Sequence, residues 1–378
     1  MKKRILASLL AVMLLGTLLA SCESPAATPN EDAAMKVGMV TDSGTIDDKS
    51  FNQGTWEGIL KAKTDLNVKE KYIKPNGETT SDYTQEITNL YDSGYKFIIT
   101  PGYKFEVAIF EMQERYSDAK FVILDGAPNN GKDFGDPERQ DIVGENTVAI
   151  LFAEDQSGFL AGVAAALELK EGKLGFIGGM AVPAVQRFNW GFQQGVLYAN
   201  ANYGTNCTMD ENHILYQGTF HEVAAGQQLA ASMYDAGVKA VFAAAGGVGV
   251  GVINEATQRR QADEDVWVIG VDVDQYKDGL YENDTKSSVL TSAMKGVDAA
   301  AYEMIKAELD GSFPGGQTIT LDASKDGVGL PKENPNLSED TLSKVNEVFS
   351  AIKDGSLKVY ATVEAAAEAG IAVYEPAQ

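Results

Sequence analysis

The sequence contains few of the residues that usually build catalytic and metal sites. It has only 2 histidines and 2 cysteines among 378 residues. His213 and His221 lie in or near a strand and a polar loop, without metal-ligand spacing, so a zinc site is not expected. There is no G-x-S-x-G motif and no P-loop, and the neighbouring Asp47 and Asp48 do not by themselves form an acid–base pair. We therefore expect no enzyme activity, no metal and no cofactor.

Positive charge is also scarce. The chain has 31 lysine and arginine residues against 54 aspartate and glutamate residues, which gives a net charge of −23 at pH 7. Such an acidic surface repels nucleic-acid phosphates and anionic lipid headgroups, so nucleic acid is not an expected partner. The 44% hydrophobic and 22% charged content is that of a globular protein, and a chain of this length is expected to form two lobes.

Residues 1–22 have the pattern of a secretory signal peptide, in which a charged start precedes an apolar run that ends in small residues and Cys22. The last four of these residues resemble a bacterial lipobox, whose cysteine receives lipid. A short transmembrane anchor is the alternative, although the apolar run is brief for crossing a bilayer. Cys207 is then left without a partner and is predicted to be an unpaired thiol. Residues 23–34 form a polar linker.

Short apolar runs typical of buried strands alternate with helical patterns from residue 35 onward. Strands are predicted at residues 37–40, 71–74, 97–100, 121–124, 142–145, 174–177, 213–216, 238–243, 266–271, 288–293 and 319–321. Helices are predicted after Asp48 and at residues 81–91, 105–116, 158–169, 185–199, 223–236, 297–309 and 340–352. Regular alternation of this kind predicts an α/β protein with doubly wound parallel sheets.

The segment at residues 37–58, VGMVTDSGTIDDKSFNQGTWEG, combines a buried strand, a polar loop and the start of a helix. Asp47 or Asp48 can cap that helix, because a carboxylate satisfies free N–H groups at the positive helix end. In a parallel sheet such a loop lies at the carboxyl end of its strand, where ligands bind. Phe51 is expected near the loop and Trp56 in the core.

The TDSGTIDDKSFNQGTWEG sequence within this segment resembles the signature of the basic membrane protein family, the nucleoside-binding lipoproteins that serve ABC importers. The resemblance extends from the signal peptide to beyond Lys295. It implies a type I periplasmic binding protein, in which two doubly wound lobes are joined by a hinge and hold the ligand between them. It also implies a purine nucleoside ligand (guanosine, adenosine or inosine), an ABC permease as partner, and anchoring to the extracytoplasmic side of the cell membrane through lipid on Cys22.

Boundaries between the two lobes follow from polar breaks and from the hinge crossings typical of this fold. Lobe 1 is expected at residues 35–170 with about 294–312, and lobe 2 at residues 171–293 with about 318–335. Residues 336–378 are expected to be a helical region packed on the lobes. The hinge crossings are expected near residues 170, 290 and 313–318.

Aromatic residues supply the first part of the expected ligand site. The resemblance implies that the base stacks between Phe51 and a phenylalanine of the second lobe, for which Phe242 is the first match. Phe188 is the alternative, because it also follows a loop that opens into a helix. Stacking on aromatic faces tolerates different purines.

Polar residues supply the second part. Asp272 ends the VWVIGVD strand, where its carboxylate can accept hydrogen bonds from adjacent sugar hydroxyls, and Lys295 can donate to the sugar. The resemblance places both of these residues at the ribose and Asp42 at the purine edge. Asn52 is a further hydrogen-bonding candidate. A site built to bind a hydroxyl disfavours an analogue that lacks it.

The glycine-rich stretch at residues 244–251, AAGGVGVG, does not match the G-x-G-x-x-G pattern, because the third glycine is missing. Nicotinamide dinucleotide is therefore not expected. We interpret the stretch as a loop that lets backbone N–H groups and a helix N-terminus approach a ligand. The resemblance implies that this loop contributes to the nucleoside pocket, with Gly247 as the expected contact.

Three other functions are compatible with parts of the sequence. A sugar or another small polar ligand fits the same fold, because fold does not set the ligand, and a pocket with one aromatic face would favour it. A surface lipoprotein with an adhesive role would leave the cleft unused. A nucleoside-cleaving enzyme is disfavoured by the missing catalytic set.

Overall fold

A computed structural model describes residues 34–376 of the chain. The predicted signal peptide, the Cys22 lipidation site and the predicted linker up to residue 33 lie outside the described residues. The described residues from Met35 onward form one unit. No helix within residues 34–376 is long and apolar enough to cross a membrane.

Strands and helices alternate along most of the chain. The strands are β1 (Lys36–Val40), β2 (Lys69–Ile73), β3 (Phe97–Pro101), β4 (Lys120–Leu124), β5 (Thr147–Phe152), β6 (Glu171–Gly178), β7 (Asn206–Tyr216), β8 (Val238–Ala244), β9 (Trp267–Asp272), β10 (Leu280–Tyr281), β11 (Lys286–Ser287), β12 (Val289–Lys295), β13 (Gln317–Leu321) and β14 (Val328–Gly329). The helices are α1 (Phe51–Leu66), α2 (Thr80–Asp92), α3 (Glu106–Arg115), α4 (Glu154–Leu169), α5 (Pro183–Tyr203), α6 (Val223–Asp235), α7 (Gly247–Gln261), α8 (Val297–Leu309), α9 (Glu339–Lys353) and α10 (Val363–Glu368).

Two six-stranded sheets form the centres of the two lobes. The first sheet has the order β13-β5-β4-β3-β1-β2 and is parallel throughout. The second has the order β14-β12-β9-β8-β6-β7 and is parallel except for the short edge strand β14. Strands such as β3 and β4 are apolar along almost their whole length, because helices cover both faces of a parallel sheet.

Helix ends follow local sequence signals. Thr79 and Asp82 form a reciprocal capping box at the start of α2. Helix α5 begins at Pro183, whose missing N–H costs nothing in the first turn, and ends before Gly204, which adopts a φ of 70°. These signals explain why the predicted helices lie within a few residues of the observed ones.

The chain crosses between the lobes three times. The first crossing, at Ala153, joins β5 to α4, and the second, at Gly296, joins β12 to α8 close to its predicted position. The third lies between β13 and β14. The Ala153 amide donates to the Leu321 carbonyl at 3.1 Å, and the Gly296 amide donates to the Gly327 carbonyl at 2.9 Å. Backbone hydrogen bonds therefore tie the crossings together in pairs.

The predicted crossing near residue 170 is wrong, because α4 packs against α5 and β12 in the second lobe. The reason is a close helix–helix contact. A Cβ atom added at Gly158 or Gly162 of α4, or at Gly191 or Gly195 of α5, would lie 2.0–2.4 Å from a backbone oxygen of the facing helix. The polar break that suggested a lobe boundary is only the turn at Lys170, which has a φ of 65°.

The predicted third crossing near residues 313–318 is also wrong, because residues 319–321 belong to β13 of the first lobe and not to the second. Strand β13 pairs with β5 in parallel register. It is an edge strand with partly exposed residues throughout, so its sequence has no strong hydrophobic pattern. The Gly316 amide donates to the carbonyls of Gly144 and Thr147 at 3.0 and 2.9 Å, which places the strand beside β5. Of the two strands that follow α8, only β14 belongs to the second sheet.

The predicted strand at residues 142–145 is replaced by β5, five residues further along the chain. The side chain of Gln113 binds this segment from α3. Its Nε2 donates to the Ile142 carbonyl at 2.9 Å, and its Oε1 accepts from the Gly144 amide at 2.9 Å. These side-chain hydrogen bonds take the place of a strand partner.

The C-terminal region contacts the second lobe, where α9 packs against α4. The chain end lies along α5, where Gln193 exchanges two hydrogen bonds of 2.7 Å with the backbone of Tyr374. The carboxylate of Glu375 accepts hydrogen bonds from the Trp190 indole at 2.7 Å and the Tyr216 hydroxyl at 3.1 Å. Helix α5 is therefore fixed by α4 on one side and by the chain end on another.

Replacing Gly191 by Ala is expected to lower the free energy of unfolding by about 1–3 kcal/mol, because the new methyl group would meet the Asp155 carbonyl oxygen of α4. The matched control is Gly249→Ala in α7, where the nearest neighbour of an added Cβ is 3.6 Å away. The control should be neutral or more stable by up to about 1 kcal/mol, because alanine is the better helix former. Urea unfolding measures both, and equal stabilities of the two variants would contradict the close helix contact.

Candidate functional site

A cavity of about 340 Å³ lies between the lobes, where the carboxyl ends of both sheets meet. Its volume is at the lower end of the roughly 300–1,000 Å³ typical of small-molecule sites. Six of the eight predicted ligand-binding residues line it: Asp42, Phe51, Asn52, Phe188, Asp272 and Lys295. Most of its carboxylates come from the loops after β1 and β4 and from the last residue of β9, and α1 and α5 supply Phe51 and Phe188. The two remaining predictions, Phe242 and Gly247, do not line the cavity.

Phe242 is fully buried beneath the cavity wall, so the prediction that it faces the ligand is wrong. Its ring meets the ring of Phe188 edge-on at a centroid distance of 5.7 Å and contacts Phe176 and Phe192 on its other sides. Strand β8 continues to Ala244, and the residues that reach the cavity come after Phe242. Phe188, the alternative match, is the phenylalanine that lines the cavity, and Phe242 supports it from behind.

Gly247 also lies outside the cavity lining, where Gly246 takes the expected place. Gly246 has a φ of 55°, and the Gly247 amide donates to the carbonyl of Phe220 at 2.8 Å. A Cβ atom added at Gly179 would lie 2.2 Å from the ring of Phe220. Glycines from two loops thus make room for Phe220, a further aromatic residue of the cavity that the sequence analysis missed. In the sequence, the only sign of a cavity contact by Phe220 was the two glycine pairs at residues 178–179 and 246–247.

Asp48 caps helix α1, in agreement with one of the two predicted alternatives. Its Oδ1 accepts from the amides of Ser50 and Gln53 at 3.0 and 3.1 Å, and its Oδ2 accepts from the amide of Asn52 at 3.1 Å. Burial raises the pKa of Asp48 to about 6, although these hydrogen bonds act in the opposite direction. The cap fixes the first turn of the helix and therefore the position of Phe51.

Asn52 lines the cavity, but its side chain is committed to its own loop. Its Nδ2 donates to Asp42 Oδ1 and to Asp48 Oδ2, both at 2.8 Å, and its Oδ1 accepts from the Asp42 amide at 3.2 Å. Burial raises the pKa of Asp42. Within the described part of the chain, Asp42 Oδ2 accepts no hydrogen bond, so Asn52 orients a carboxylate that keeps one oxygen free.

Lys295 lies at the centre of the cavity floor and is only 3% exposed. Its Nζ donates to Asp125 Oδ2 and lies 3.5 Å from Glu154 Oε1 and 3.6 Å from Asp272 Oδ1. Burial lowers the pKa of Lys295, but the three carboxylates outweigh burial and leave its pKa above the ordinary value. The ammonium group is therefore charged. It also lies 4.7 Å from the ring centre of Phe51, which joins the charged and aromatic parts of the cavity.

Three carboxylate oxygens beside Lys295 have no hydrogen-bond partner among residues 34–376: Asp125 Oδ1, Asp272 Oδ1 and Glu154 Oε1. Two of them, those of Asp125 and Asp272, belong to residues that line the cavity. The second oxygen of Asp272 accepts from the Ser50 hydroxyl at 2.5 Å, a bond that joins the lobes. A buried acceptor without a donor is costly, and ionised carboxylates accept only. The two free oxygens therefore fit a ligand that carries hydroxyl donors.

Glu154 and Arg187 complete the charge cluster. Glu154 is fully buried, and its Oε2 accepts from Arg187 Nε at 2.7 Å. Burial raises the pKa of Glu154 to about 7, while Lys295 and Arg187 lower it. The sequence analysis missed both residues, because their significance depends on the contact between α4 and α5.

Asp125 was missed although the sequence contains a signal for it. It follows β4 in the same way that Asp272 ends β9, and the two residues have φ values of 59° and 63°. Positive φ is uncommon outside glycine, although aspartate tolerates it better than most residues. An aspartate at the carboxyl end of a buried strand is thus the shared feature of both residues. Tyr103 and Glu106, which also line the cavity, carry no comparable signal.

Two doubly wound lobes with three crossings and a charged cavity between them match the architecture of two-lobed solute-binding proteins. The sequence profile of the Bmp family, described as ABC transporter substrate-binding protein PnrA-like, matches residues 35–362. The chain belongs to this family. The crystal structure of an ABC transporter solute-binding protein from Aeropyrum pernix K1 superimposes with a TM-score of 0.72 at 23% identity, over 87% of this chain and 94% of that one. The predicted type I periplasmic binding fold is confirmed.

Curated relatives agree with the family. A protein of Listeria innocua named CD4+ T-cell-stimulating antigen is 36% identical, over 95% of this chain and 99% of that protein. A Lactococcus lactis protein named ABC transporter nucleoside-binding protein BmpA is 32% identical, over the same shares of the two chains. Basic membrane protein D of Borreliella burgdorferi is 31% identical, over 86% and 88%. The predicted family is confirmed, and the protein is the substrate-binding component of an ABC transporter, with a small-molecule ligand and a permease partner.

The free energy of unfolding of the ligand-free protein is expected to fall as pH rises from about 4 to about 7. Burial raises the pKa values of Asp48, Glu154 and Asp155 to about 6, 7 and 6. Unfolded carboxyl groups lose their protons near pH 4, so in this window the folded state binds more protons and stability declines with pH. Thermal unfolding at pH 5.0 and 7.5 measures the effect, and Asp155→Asn should remove part of it. A constant or rising midpoint would contradict these buried acids.

Proposed function

We propose that this protein captures purine nucleosides and delivers them to an ABC importer, and that lipid on Cys22 anchors it to the extracytoplasmic side of the membrane. The observation that carries the proposal is the cavity itself. It places aromatic rings beside buried carboxylates whose oxygens lack partners, which suits a ligand with one flat face and one hydroxyl-bearing part. The name of the Lactococcus lactis relative, a nucleoside-binding protein, supports it.

The base would lie against Phe51 of the first lobe and Phe188 of the second. The Lys295 ammonium lies 4.7 Å from the ring centre of Phe51 and 5.4 Å from that of Phe188, so both rings border the same space. Stacking on an aromatic side chain contributes about 1–3 kcal/mol per base. The free oxygen of Asp42, held in place by Asn52, would accept an N–H group at the purine edge.

The ribose would bind at the cavity floor. Asp125 Oδ1 and Asp272 Oδ1 would accept hydrogen bonds from its hydroxyl groups, and Lys295 would donate to a hydroxyl oxygen. Asp125 thereby joins the ribose contacts that the sequence analysis expected of Asp272 and Lys295. Because three carboxylates surround one lysine, a phosphate group would meet net repulsion, which favours nucleosides over nucleotides.

A free sugar or another small polar ligand is the second candidate, because the carboxylates and Lys295 would also bind its hydroxyl groups. The aromatic rings of Phe51 and Phe188 distinguish the two, since a sugar would leave much of them uncovered. An adhesive role would leave the cavity unused. We expect no chemical reaction, so a bound nucleoside should be recovered unchanged.

Closure of the lobes would couple binding to delivery. Next to the cavity, the Ser50 hydroxyl donates to Asp272 and Gln275 Nε2 donates to the Lys49 carbonyl at 2.7 Å, so the lobes contact one another directly. A ligand that bridges both lobes adds contacts only in the closed arrangement and so increases its population. The permease would then distinguish loaded from empty protein by shape.

Calorimetric titration of residues 23–378, unfolded and refolded to remove carried-over ligand, tests the nucleoside assignment. Guanosine, adenosine or inosine should bind tightly, whereas guanine and ribose should each bind much more weakly, because each fills half of the cavity. Phe51→Ala and Asp272→Asn should each weaken binding by about tenfold or more, the equivalent of 1.4 kcal/mol. Phe134→Ala is the control, because that ring is 96% exposed outside the cavity lining. No binding of any nucleoside would rule out the assignment and direct attention to sugars.

Labelling with palmitate tests the anchor. The full chain should incorporate the label and sediment with membranes, whereas Cys22→Ala should do neither. Cys207→Ala is the matched control and should retain the label, because the Cys207 thiol is buried and only 2% of the residue is exposed. A wild-type chain that carries no label would rule out lipidation at Cys22.

A further inference from the structure

Glu154 occupies an unusual position for a carboxylate. It is the first residue of α4, directly after the first crossing between the lobes, and it is fully buried. The backbone of the preceding residue, Ala153, is held by its hydrogen bond to Leu321 of β13. Fully buried glutamates are rare unless they are paired, because the desolvation of the charge is costly. Stability alone therefore does not explain why a charged glutamate is buried at this position.

One carboxylate contacts two cations that come from different elements. Glu154 Oε2 accepts from Arg187 Nε of α5 at 2.7 Å, and Glu154 Oε1 lies 3.5 Å from Lys295 Nζ at the end of β12. Both cations line the cavity, but Glu154 does not. Its carboxylate is thus placed behind the two positively charged groups that face the ligand.

Without this carboxylate, Arg187 would lose its ion-pair partner and would be attracted to the negative groups that Lys295 already contacts. Asp125 and Asp272 are those groups, and each has one oxygen free of hydrogen bonds within the described chain. Arg187 has guanidinium nitrogens beyond Nε that could bond to such oxygens. The ligand would then have to displace Arg187 before its hydroxyls could bind.

We infer that Glu154 is a positioning residue for ligand binding: it holds Arg187, and shares Lys295 with Asp125 and Asp272, so that these two aspartates keep oxygens free of hydrogen bonds for the hydroxyl groups of the ligand. The inference rests on the proposed nucleoside function and assigns to that site a residue that does not touch the ligand. It also explains why a charge is buried at the first residue after a lobe crossing.

The charge state of Glu154 should then control affinity. The charged groups that face it are Arg187 from α5, Lys295 from β12 and Asp125 after β4, and Asp155 adjoins it on α4. Burial raises its pKa to about 7, so its proton is gained as the solution is acidified through neutrality. Protonation weakens its hold on both cations, and affinity should decrease as pH falls from 8 to 6.

The test is calorimetric titration of residues 23–378 with guanosine, adenosine and inosine at pH 6, 7 and 8. For a nucleoside that binds the wild type, Glu154→Gln should raise the Kd by about tenfold or more and reduce its dependence on pH. The matched control is Asp155→Asn, the neighbouring buried carboxylate, which should keep the pH dependence and change the Kd less than about threefold. Glu154→Asp, which keeps the charge on a shorter side chain, should give an intermediate Kd and keep the pH dependence.

A Glu154→Gln protein with the Kd and pH profile of the wild type would overturn the inference and leave the nucleoside function intact. If Glu154→Gln does not fold, as judged by circular dichroism, Glu154→Asp decides, and wild-type affinity in that variant would overturn the inference. No binding of any of the three nucleosides by the wild type would instead overturn the proposed function, and the inference with it.

Discussion

The contact of one lysine with three carboxylates is the interaction on which the cavity depends. Lys295 meets Asp125 from the first lobe and Asp272 and Glu154 from the second lobe, so no single lobe contains the complete cluster. Charges this deeply buried are tolerated only when they are paired. Because Asp125 comes from the other lobe, the pairing that offsets desolvation is complete only when the two lobes approach each other. The cluster thus makes the relative position of the two lobes a condition for the site.

The packing of α4 on α5 determines where that cluster can form. Four glycines let the two helix backbones approach so closely that added methyl groups would overlap with carbonyl oxygens. Helix α5 presents Arg187 and Phe188 to the cavity, and α4 presents Glu154 from behind them. Small residues at a helix contact, which bind nothing themselves, therefore set the distance between a buried acid and the cations that it holds.

Much of the fold and part of the site could be predicted from the sequence. Apolar runs located most of the strands, and the carboxylates at Asp47 and Asp48 located the start of α1, because both signals depend on neighbours in the chain. Edge strand β13 was predicted at residues 319–321 but was assigned to the wrong lobe, because its residues are partly exposed and its partner β5 lies far away in sequence. The position of Phe51 could be predicted because it follows a capped loop in the same short stretch of sequence. The burial of Phe242 could not, because it depends on packing against Phe188 and Phe192.

The sequence by itself determined the α/β alternation, a helix cap at Asp47 or Asp48, the loop that carries Asp42 and Phe51, and the family, because each of these depends on a short continuous stretch of residues. The tertiary structure alone decided which lobe holds α4 and β13, which phenylalanine of the second lobe faces the cavity, and which carboxylates surround Lys295. These features depend on surfaces that come from separate segments of the chain and meet only in the folded protein. Whether one of these side chains is buried in the core, supports another residue or lines the cavity depends on what packs against it.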